Sequence, residues 1–403
     1  MTNPDKIELL EYVKDNDVKF VKLTFCDLLG RQRNISVLSS QLEDAFEHGV
    51  AIASSAMTGV DVSDLKLVPV SSLLSVLPWR PHSGRVISVF CNIANEDGTP
   101  YTCDPMILLA NQVEKLKALG FTASVGTECE FYVFNDDPTL DKLEPVDRAD
   151  YCACSPFDKC EGLRREVIHS LEDMGLKPIS SHHERGMGQN EVDFENANPL
   201  SAARNFIMFK SAVKNVCALN GMKASFMPRP MSNQPGSGLH LSVQLSGKNS
   251  AAASAAFAEG VMRRYKEITC FANPTMNSYK RLGSGHKISY SDHRRTAIRI
   301  FDDNTLQLRS PDSTCNIFTV LALVFAAGRE GIDQKLKLRE PGKVEDALFS
   351  GIDEAIEFAA KSEWLHAQIP DRLDEVLSTI RARTEKEKQL KTDLELFDIY
   401  ADI

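Results

Sequence analysis

The sequence predicts an α+β protein of two unequal domains, and three observations predict it. Short alternating, strand-like segments dominate the first hundred residues, with one helix-length stretch among them. A dense turn signal, Asp97-Gly98-Thr99-Pro100, closes that run. Beyond it, longer segments of helical period are interleaved with further alternating ones. At 403 residues the chain has enough apolar content for a large and a small core, and we place the boundary between residues 98 and 99.

In chain order, residues 18–25 alternate valine, phenylalanine and leucine with lysine and threonine, and Asp27-Leu28-Leu29-Gly30 turns them into a second strand over 33–37. Ser39 or Ser40 is expected to cap a short helix over 41–48. Residues 50–60, small and polar, read as an ordered loop, and 64–70 and 85–93 as further strands. A helix follows from Asp104 to Leu119 and stops at Gly120. The segment around Glu128 and Glu130 is a strand, and residues 135–150 form a polar loop. Helices are expected over 161–174, 199–220 and 251–269. The charged tail from residue 351 is helical, with a break at Pro370. No repeat or disordered linker interrupts the pattern.

The stretch from His182 to Phe194, His-His-Glu-Arg-Gly-Met-Gly-Gln-Asn-Glu-Val-Asp-Phe, concentrates the chemistry. Glu184 and Glu191 flank a two-glycine loop that leads into an alternating strand. Glu128 and Glu130 alternate and so share one strand face. The turn Gly236-Ser237-Gly238 delivers His240 onto a strand of alternating leucine and valine. Four converging carboxylates and one imidazole cannot all stay ionised together without cations, and such a donor set suits magnesium or manganese better than zinc. Taken singly, a Glu-x-Glu strand is more often a solvated face, and a histidine after glycines a satisfied core residue; the combination argues otherwise. A second concentration is basic: Arg281, Arg294, Arg295, Arg299 and Arg309 fall within 29 residues. Arg299 and Arg309 adjoin apolar alternation, so they are expected on half-buried strands, as an anion clamp.

The formal net charge of −10 argues against a nucleic-acid partner. No export signal opens the chain, and no run reaches the roughly 18 apolar residues of a membrane span. The ten cysteines lack paired zinc spacing and read as reduced thiols of a cytoplasmic protein; for those near Tyr151 a redox role stays open, with burial as small apolar side chains the expected use.

These motifs, in this order, resemble the glutamine synthetase family over nearly the whole length. They are Asp97-Gly98 with Cys103-Asp104-Pro105, Glu128-x-Glu130, Tyr151, His182-His183-Glu184 with Gly188-Gln189-x-Glu191, Phe226-Met227-Pro228-Arg229-Pro230 and Gly236-Ser237-Gly238-Leu239-His240. Asn273-Pro274-Thr275-x-Asn277-Ser278-Tyr279-Lys280-Arg281-Leu282, residues 295–300 and Arg309-x-Pro311-Asp312 follow. The resemblance implies an N-terminal β-grasp-like domain over 1–98 and a catalytic domain over 99–403 built on a curved antiparallel sheet flanked by helices. It also implies a homo-oligomer of ten or twelve subunits with active sites between subunits, and small-molecule acid and amine substrates. The implied reaction is ATP-dependent: a carboxylate, usually glutamate's, is phosphorylated, and an amine displaces phosphate from the acyl phosphate.

By that resemblance Glu130, Glu184 and Glu191 would hold one Mg2+ or Mn2+ ion, and Glu128, His240 and Gln307 the ion on the nucleotide. Arg281, Arg309, Tyr151, Glu130, His240 and the backbone of Gly236 would meet the acid substrate. Arg295 and Arg299 would meet the transferring phosphoryl group, with Glu191 beside the reacting atoms and Ser242 and Glu128 near the nucleotide. The chain departs from the family pattern at five places. Ala53-Ser54-Ser55-Ala56 stands where the family has Asp-Gly-Ser-Ser, and the glutamate of the flap after Leu282 has no counterpart. Gln307 replaces a glutamate, Thr305 an arginine and Pro235 an asparagine. The first two losses empty the ammonium pocket, so the expectation is a ligase that takes a different amine; the alternative is a catalytically degenerate structural or regulatory oligomer.

Overall fold

The computed structural model describes residues 6–59, 63–80, 83–137, 139, 142–283, 287–291, 296–301, 305–343, 346–370 and 372–401. The chain opens with α1 (Lys6–Asp15), β1 (Val18–Cys26), β2 (Gln32–Leu38), a 3-10 turn (Ser39–Gln41), α2 (Leu42–His48), β3 (Val50–Ala53), α3 (Ser55–Thr58), β4 (Asp64–Val76) and β5 (Arg85–Asn95). These strands form one sheet in the order β2-β1-β5-β4-β3, in which β1 and β5 run parallel. The β1–β2 turn is built by Asp27, whose buried carboxylate accepts the N–H groups of Leu29 and Arg31 at 3.0 and 2.9 Å and the Arg31 guanidinium at 2.7 Å. Gly30 completes it at φ +79°, where a Cβ would strike the backbone of Asn316. Only glycine lets this turn dock so closely against the rest of the protein.

The larger part continues with α4 (Pro105–Ala118), β6 (Phe121–Asn135), α5 (Glu161–Asp173), β7 (Pro178–His183), β8 (Gln189–Phe194), α6 (Pro199–Leu219), β9 (Met222–Ser225) and β10 (Leu239–Gly247). Then come α7 (Ser250–Arg263), α8 (Tyr265–Ala272), α9 (Met276–Leu282), β11 (Lys287–Ile288), β12 (Tyr290–Ser291), β13 (Ile298–Ile300), β14 (Leu306–Leu308) and α10 (Ile317–Asp333). The tail holds β15 (Asp346–Ala347), α11 (Ile352–Ala360), α12 (Glu363–Gln368), α13 (Leu373–Glu387) and α14 (Asp393–Tyr400). Eight strands form the second sheet in the order β12-β13-β14-β10-β6-β8-β7, with β9 on β6. It is antiparallel, as expected, except for the short pair β12 and β13, which run parallel.

Asp104 starts α4, accepting from Met106 N–H at 2.8 Å while its other oxygen takes the Ile93 N–H of β5 at 2.6 Å. One carboxylate thus caps the helix and ties it to the first sheet. Helix α10 is apolar on every side, with 13 of its 17 residues buried. It lies against α7 where Gly260 and Gly331 allow backbone-to-backbone approach: a Cβ on either would collide with a carbonyl of the facing helix. A helix apolar all round is a buried one.

Several sequence expectations are corrected. Residues 50–59 are no loop but β3 and the single turn α3. Ser39 and Ser40 lie inside the 3-10 turn, and no side-chain cap bond forms at its start or at that of α2. The helix expected over 251–269 breaks at Arg264, whose guanidinium meets Glu330 at 2.8 Å, Glu267 at 3.3 Å and the ring of Trp364 at 5.3 Å. Cys152 and Cys154 are exposed, whereas Cys160 is buried as expected; all ten cysteines are free thiols. Among the described residues no helix is long and apolar enough to cross a membrane.

Candidate active site

Strand register gathers the acids. On β6 Glu128 pairs with His240 of β10, and two residues on, Glu130 pairs with Glu191 of β8. Glu191 in turn pairs with His182 of β7. Two adjacent rows across the sheet therefore read His240–Glu128 and Glu130–Glu191–His182, all on one face by the two-residue period. Glu184 enters from the loop between β7 and β8, its N–H donated to Gln189 O at 2.7 Å. That loop needs its glycines. A Cβ on Gly186 would overlap Tyr132, and Gly188 has φ +69° with Val133 O where a Cβ would go.

His183 clamps the same loop from below. Its Nδ1 lies 2.6 Å from Glu184 O and its Nε2 3.0 Å from Asp147 Oδ1. Both partners only accept, so the ring donates from both nitrogens and is an imidazolium. Burial opposes that charge, but Asp147 outweighs it and the His183 pKa rises. Asp147 moves down: burial opposes this too, but His183 and the N–H groups of Lys159 and Gly188 prevail. Gln189 completes the frame, donating to Glu130 Oε2, Gly236 O and Ser237 Oγ at 3.3, 3.2 and 3.1 Å.

The result is a cleft of about 480 Å³ lined by Glu128, Glu130, Tyr151, Glu184, Glu191, Gly236, His240, Arg299, Gln307 and Arg309, all named from the sequence. His182, Arg185, Gln189, Asp193, Pro235 and Phe301 also line it. Arg281 and Ser242 stand just behind. Arg281 donates to Pro311 O at 2.9 Å and to Ser310 O, and its stem fills the space beside Gly236. Ser242 pairs with Gln307 across β10 and β14. Arg294 and Arg295 lie outside the described residues, as do 284–286 and 292 in the stretch where the flap glutamate was sought.

The acids titrate apart. Burial raises Glu128, but the His240 hydrogen bond at 3.1 Å and the charges of Arg309 and Arg299 overcome it, leaving the pKa lowered. Glu184 is likewise lowered, because His182 at 2.9 Å and the Arg185 N–H outweigh burial. Glu130 is raised, chiefly by burial. Glu191 is pushed well above the carboxylate range by burial and by Asp193, Glu130 and Glu184 around it.

Gln307 spends its amide in place. Its nitrogen donates to Glu128 Oε1 at 3.0 Å and Ser242 Oγ at 3.3 Å, while its oxygen accepts from Arg309 at 2.7 Å. Its oxygen would have to leave Arg309 to reach a cation. Arg299 stacks on Phe301, 4.2 Å from the ring centroid, and its Nε is buried without a hydrogen-bond partner.

The donor set fits divalent cations. His182, Glu184 and Glu191 offer ligand atoms within 4.8 Å of one another, and Asp193, whose carboxyl shares a hydrogen bond with Glu191, adds another acid beside them. A cation would relieve the crowding that drives Glu191 up. Asp193 and His182 fall in the stretch singled out in the sequence but carried no role there: the signal for Asp193 is its place two residues after Glu191 on one strand, and His182 needed the β7–β8 register.

Two family models cover most of the chain: the glutamine synthetase β-grasp domain over residues 17–96 and the glutamine synthetase catalytic domain over residues 102–397. The glutamine synthetase of Clostridium saccharobutylicum is 34% identical over 375 residues, 87% of this chain and 84% of that one. That of Methanosarcina mazei is 35% identical over 367 residues, 84% and 81%. Among solved structures, ligand-free GmaS superposes with a TM-score of 0.86 at 24% identity, covering 96% of this chain and 98% of that one. A novel glutamine synthase homolog gives 0.84 at 21%, with the same coverage. At these identities the structures speak for the fold.

Proposed function

Since this chain belongs to the glutamine synthetase family and is a ligase that forms carbon–nitrogen bonds, we propose that it joins an amine other than ammonia to the side-chain carboxylate of glutamate or a related acid, through an acyl phosphate formed from ATP. The observation that carries the reading is an acid-and-arginine cleft in a chain with alanine at position 53, where the resemblance to the family would place the ammonium-binding aspartate. Glu128, Glu130, Glu184, Glu191 and His240 face Arg299 and Arg309 across about 480 Å³. Position 53 is alanine, whose methyl group can neither bind nor deprotonate a small cation.

The chemistry needs two anions to meet, a carboxylate and a polyphosphate. Divalent cations held by Glu130, Glu184 and Glu191 on one side, and by Glu128 and His240 on the other, would neutralise the oxygens of both. Arg299 and Arg309 are the fixed positive charges of the opposite wall; Arg299, together with Arg295, would stabilise the transferring phosphoryl group. Gly236 lines the cleft where the acid substrate would lie, and its missing side chain leaves room for the Arg281 stem and Pro228 O packed behind it. Gln189 holds Glu130 to the Gly236 turn, so the acid-side ligand and the substrate wall move as one unit.

Ala53 is exposed on β3 and does not line this cleft, which fits a homo-oligomer in which each first domain serves a neighbour's site. A second reading, a degenerate oligomer with little turnover, is favoured by Gln307, whose amide is spent on Glu128 and Arg309. ADP release with ATP, Mg2+ or Mn2+, glutamate and a panel of amines tests the choice. Turnover with an alkylamine or polyamine above that with ammonium supports the ligase, and silence across the panel with intact ring assembly supports the second reading.

A further inference from the structure

We propose that the cavity between the first domain and the tail helices binds a small organic anion through its carboxylate or phosphate oxygens, with Arg383 as the anchor. It is a second site, independent of the ligase reading: its described lining shares no residue with the cleft of acids and arginines.

The cavity measures about 750 Å³. Leu29 of the β1–β2 turn, with Thr58 and Gly59 at the end of α3, forms one wall, and Ala382, Arg383 and Lys386 of α13 form another. Three cations, Arg31, Arg383 and Lys386, stand on the described lining against one acid, Asp398.

Arg383 is the decisive residue. Its side chain is only 8% exposed. Nε donates to Glu387 Oε1, one helical turn on, at 3.1 Å, and the guanidinium carbon lies over the Tyr400 ring, 4.8 Å from its centroid. Glu387 is shared, because its other oxygen accepts the Met276 N–H at 3.0 Å. Nη1 and Nη2 are left buried, and among the described residues neither has a hydrogen-bond partner. Four N–H groups there have lost their hydration with nothing in exchange. Such a paired set of donors is what a carboxylate or phosphate answers with two oxygens.

The neighbours suit the same ligand. Arg31 is held by Asp27 at 2.7 Å and is a fixed charge on the opposite side, whereas Lys386 is exposed and adds a charge from the solvent side. Leu29, Ala382 and Ile399 give the lining an apolar part, which a carbon skeleton fills better than a bare ion does. An occupant would tie α3 of the first domain to α13 of the tail, and so stabilise the fold.

The test is calorimetry on the full-length protein in EDTA, with 4-bromobenzoate as the carboxylate probe and phenyl phosphate as the phosphoryl probe. At least one is expected to bind the wild type, and the tighter of the two names the head group. Arg383→Gln is expected to weaken that binding at least about tenfold, with Arg383→Lys, which keeps the charge and loses the fork, in between. Lys386→Gln, a change at an exposed position that leaves the core alone, is expected to weaken it a few-fold even should the Arg383 variants fail to fold. No binding of either probe overturns the site, and so does binding that none of the folded variants alters. Crystals of the wild type soaked in 4-bromobenzoate add a direct view. A bromine signal in the cavity, with a ligand oxygen within about 3.2 Å of an Arg383 Nη atom, supports the site. Bromine confined to the acid-and-arginine cleft, or an acid of the protein itself bonded to both Nη atoms, overturns it. Each of these failures leaves the ligase reading intact, because turnover is not the readout.

Discussion

Replacing Glu191 by glutamine should stabilise the metal-free protein and abolish its response to manganese, two effects of opposite sign from one substitution. Glu184 and Glu191 bring ligand atoms within 4.8 Å. At an effective dielectric constant of about 20, two ionised carboxylates at that distance repel by about 3 kcal/mol. Burial first, then Asp193 and Glu130, with Glu184 adding to them, make Glu191 keep its proton, and holding a proton at pH 7 on a group whose ordinary pKa is 4.5 costs about 3 kcal/mol. The two routes agree, so about 3 kcal/mol is the ceiling on what glutamine, neutral and nearly isosteric, relieves. With Mn2+ at a hundred times its dissociation constant, the wild type gains about 2.7 kcal/mol, most of which the variant forgoes. Thermal unfolding in EDTA and in excess Mn2+ measures both: Glu191→Gln should show a higher Tm in EDTA and little further rise with Mn2+. A lower Tm in EDTA together with an undiminished Mn2+ response would refute the reasoning, because Glu191 would then be an ordinary structural acid.

The pH dependence of metal-free stability follows from the same group: between 4.5 and its raised folded value, the native state holds one proton more than the unfolded chain. Stability should therefore fall by about 1.4 kcal/mol per pH unit as pH rises through that window; urea unfolding from pH 5 to 8 should show this component, and Glu191→Gln or excess Mn2+ should remove it. Gln307→Glu deletes the 3.0 Å donor to Glu128 and sets two carboxylates together, so it should lower the Tm in EDTA and tighten Mg2+-dependent ATP binding about tenfold, roughly 1.4 kcal/mol, by calorimetry. Gly236→Ala places a methyl group 2.7 Å from Pro228 O and against the Arg281 stem; kcat/KM for the acid substrate should drop on the order of 100-fold, and an unchanged value would remove Gly236 from the substrate wall. Ala53→Asp should raise ammonium-dependent turnover over wild type, and no rise in a folded variant would show that residue 53 does not reach an active site.

The parts of the site written in short-range pattern were legible in the sequence. Glu128 and Glu130 declare themselves by alternation, and His240 by the glycines before it. Glu184 and Glu191 flank a loop whose glycines are forced by Tyr132 and Val133. What escaped depends on partners far along the chain. His182 enters the cluster only through the β7–β8 register, and Gln189 only because Gly236 and Glu130 converge on its amide. In the fold, α10 went unread because a helix apolar on all sides has no stripe to betray its period. The break at Arg264 needed Glu330 and Trp364, residues some 66 and 100 positions away. Cys152 and Cys154 were expected inside as small apolar side chains, yet both are exposed, in a loop where Cys152 takes a left-handed φ of 59°.

The most direct measurement is a competition: purified protein with ATP, glutamate and Mn2+, given ammonium and a mixture of alkylamines and polyamines at equal concentration, with the amide products weighed by mass spectrometry. The account predicts that a substituted γ-glutamyl amide accumulates in preference to glutamine. Glutamine as the dominant product would contradict it, as would ATP left intact with every amine.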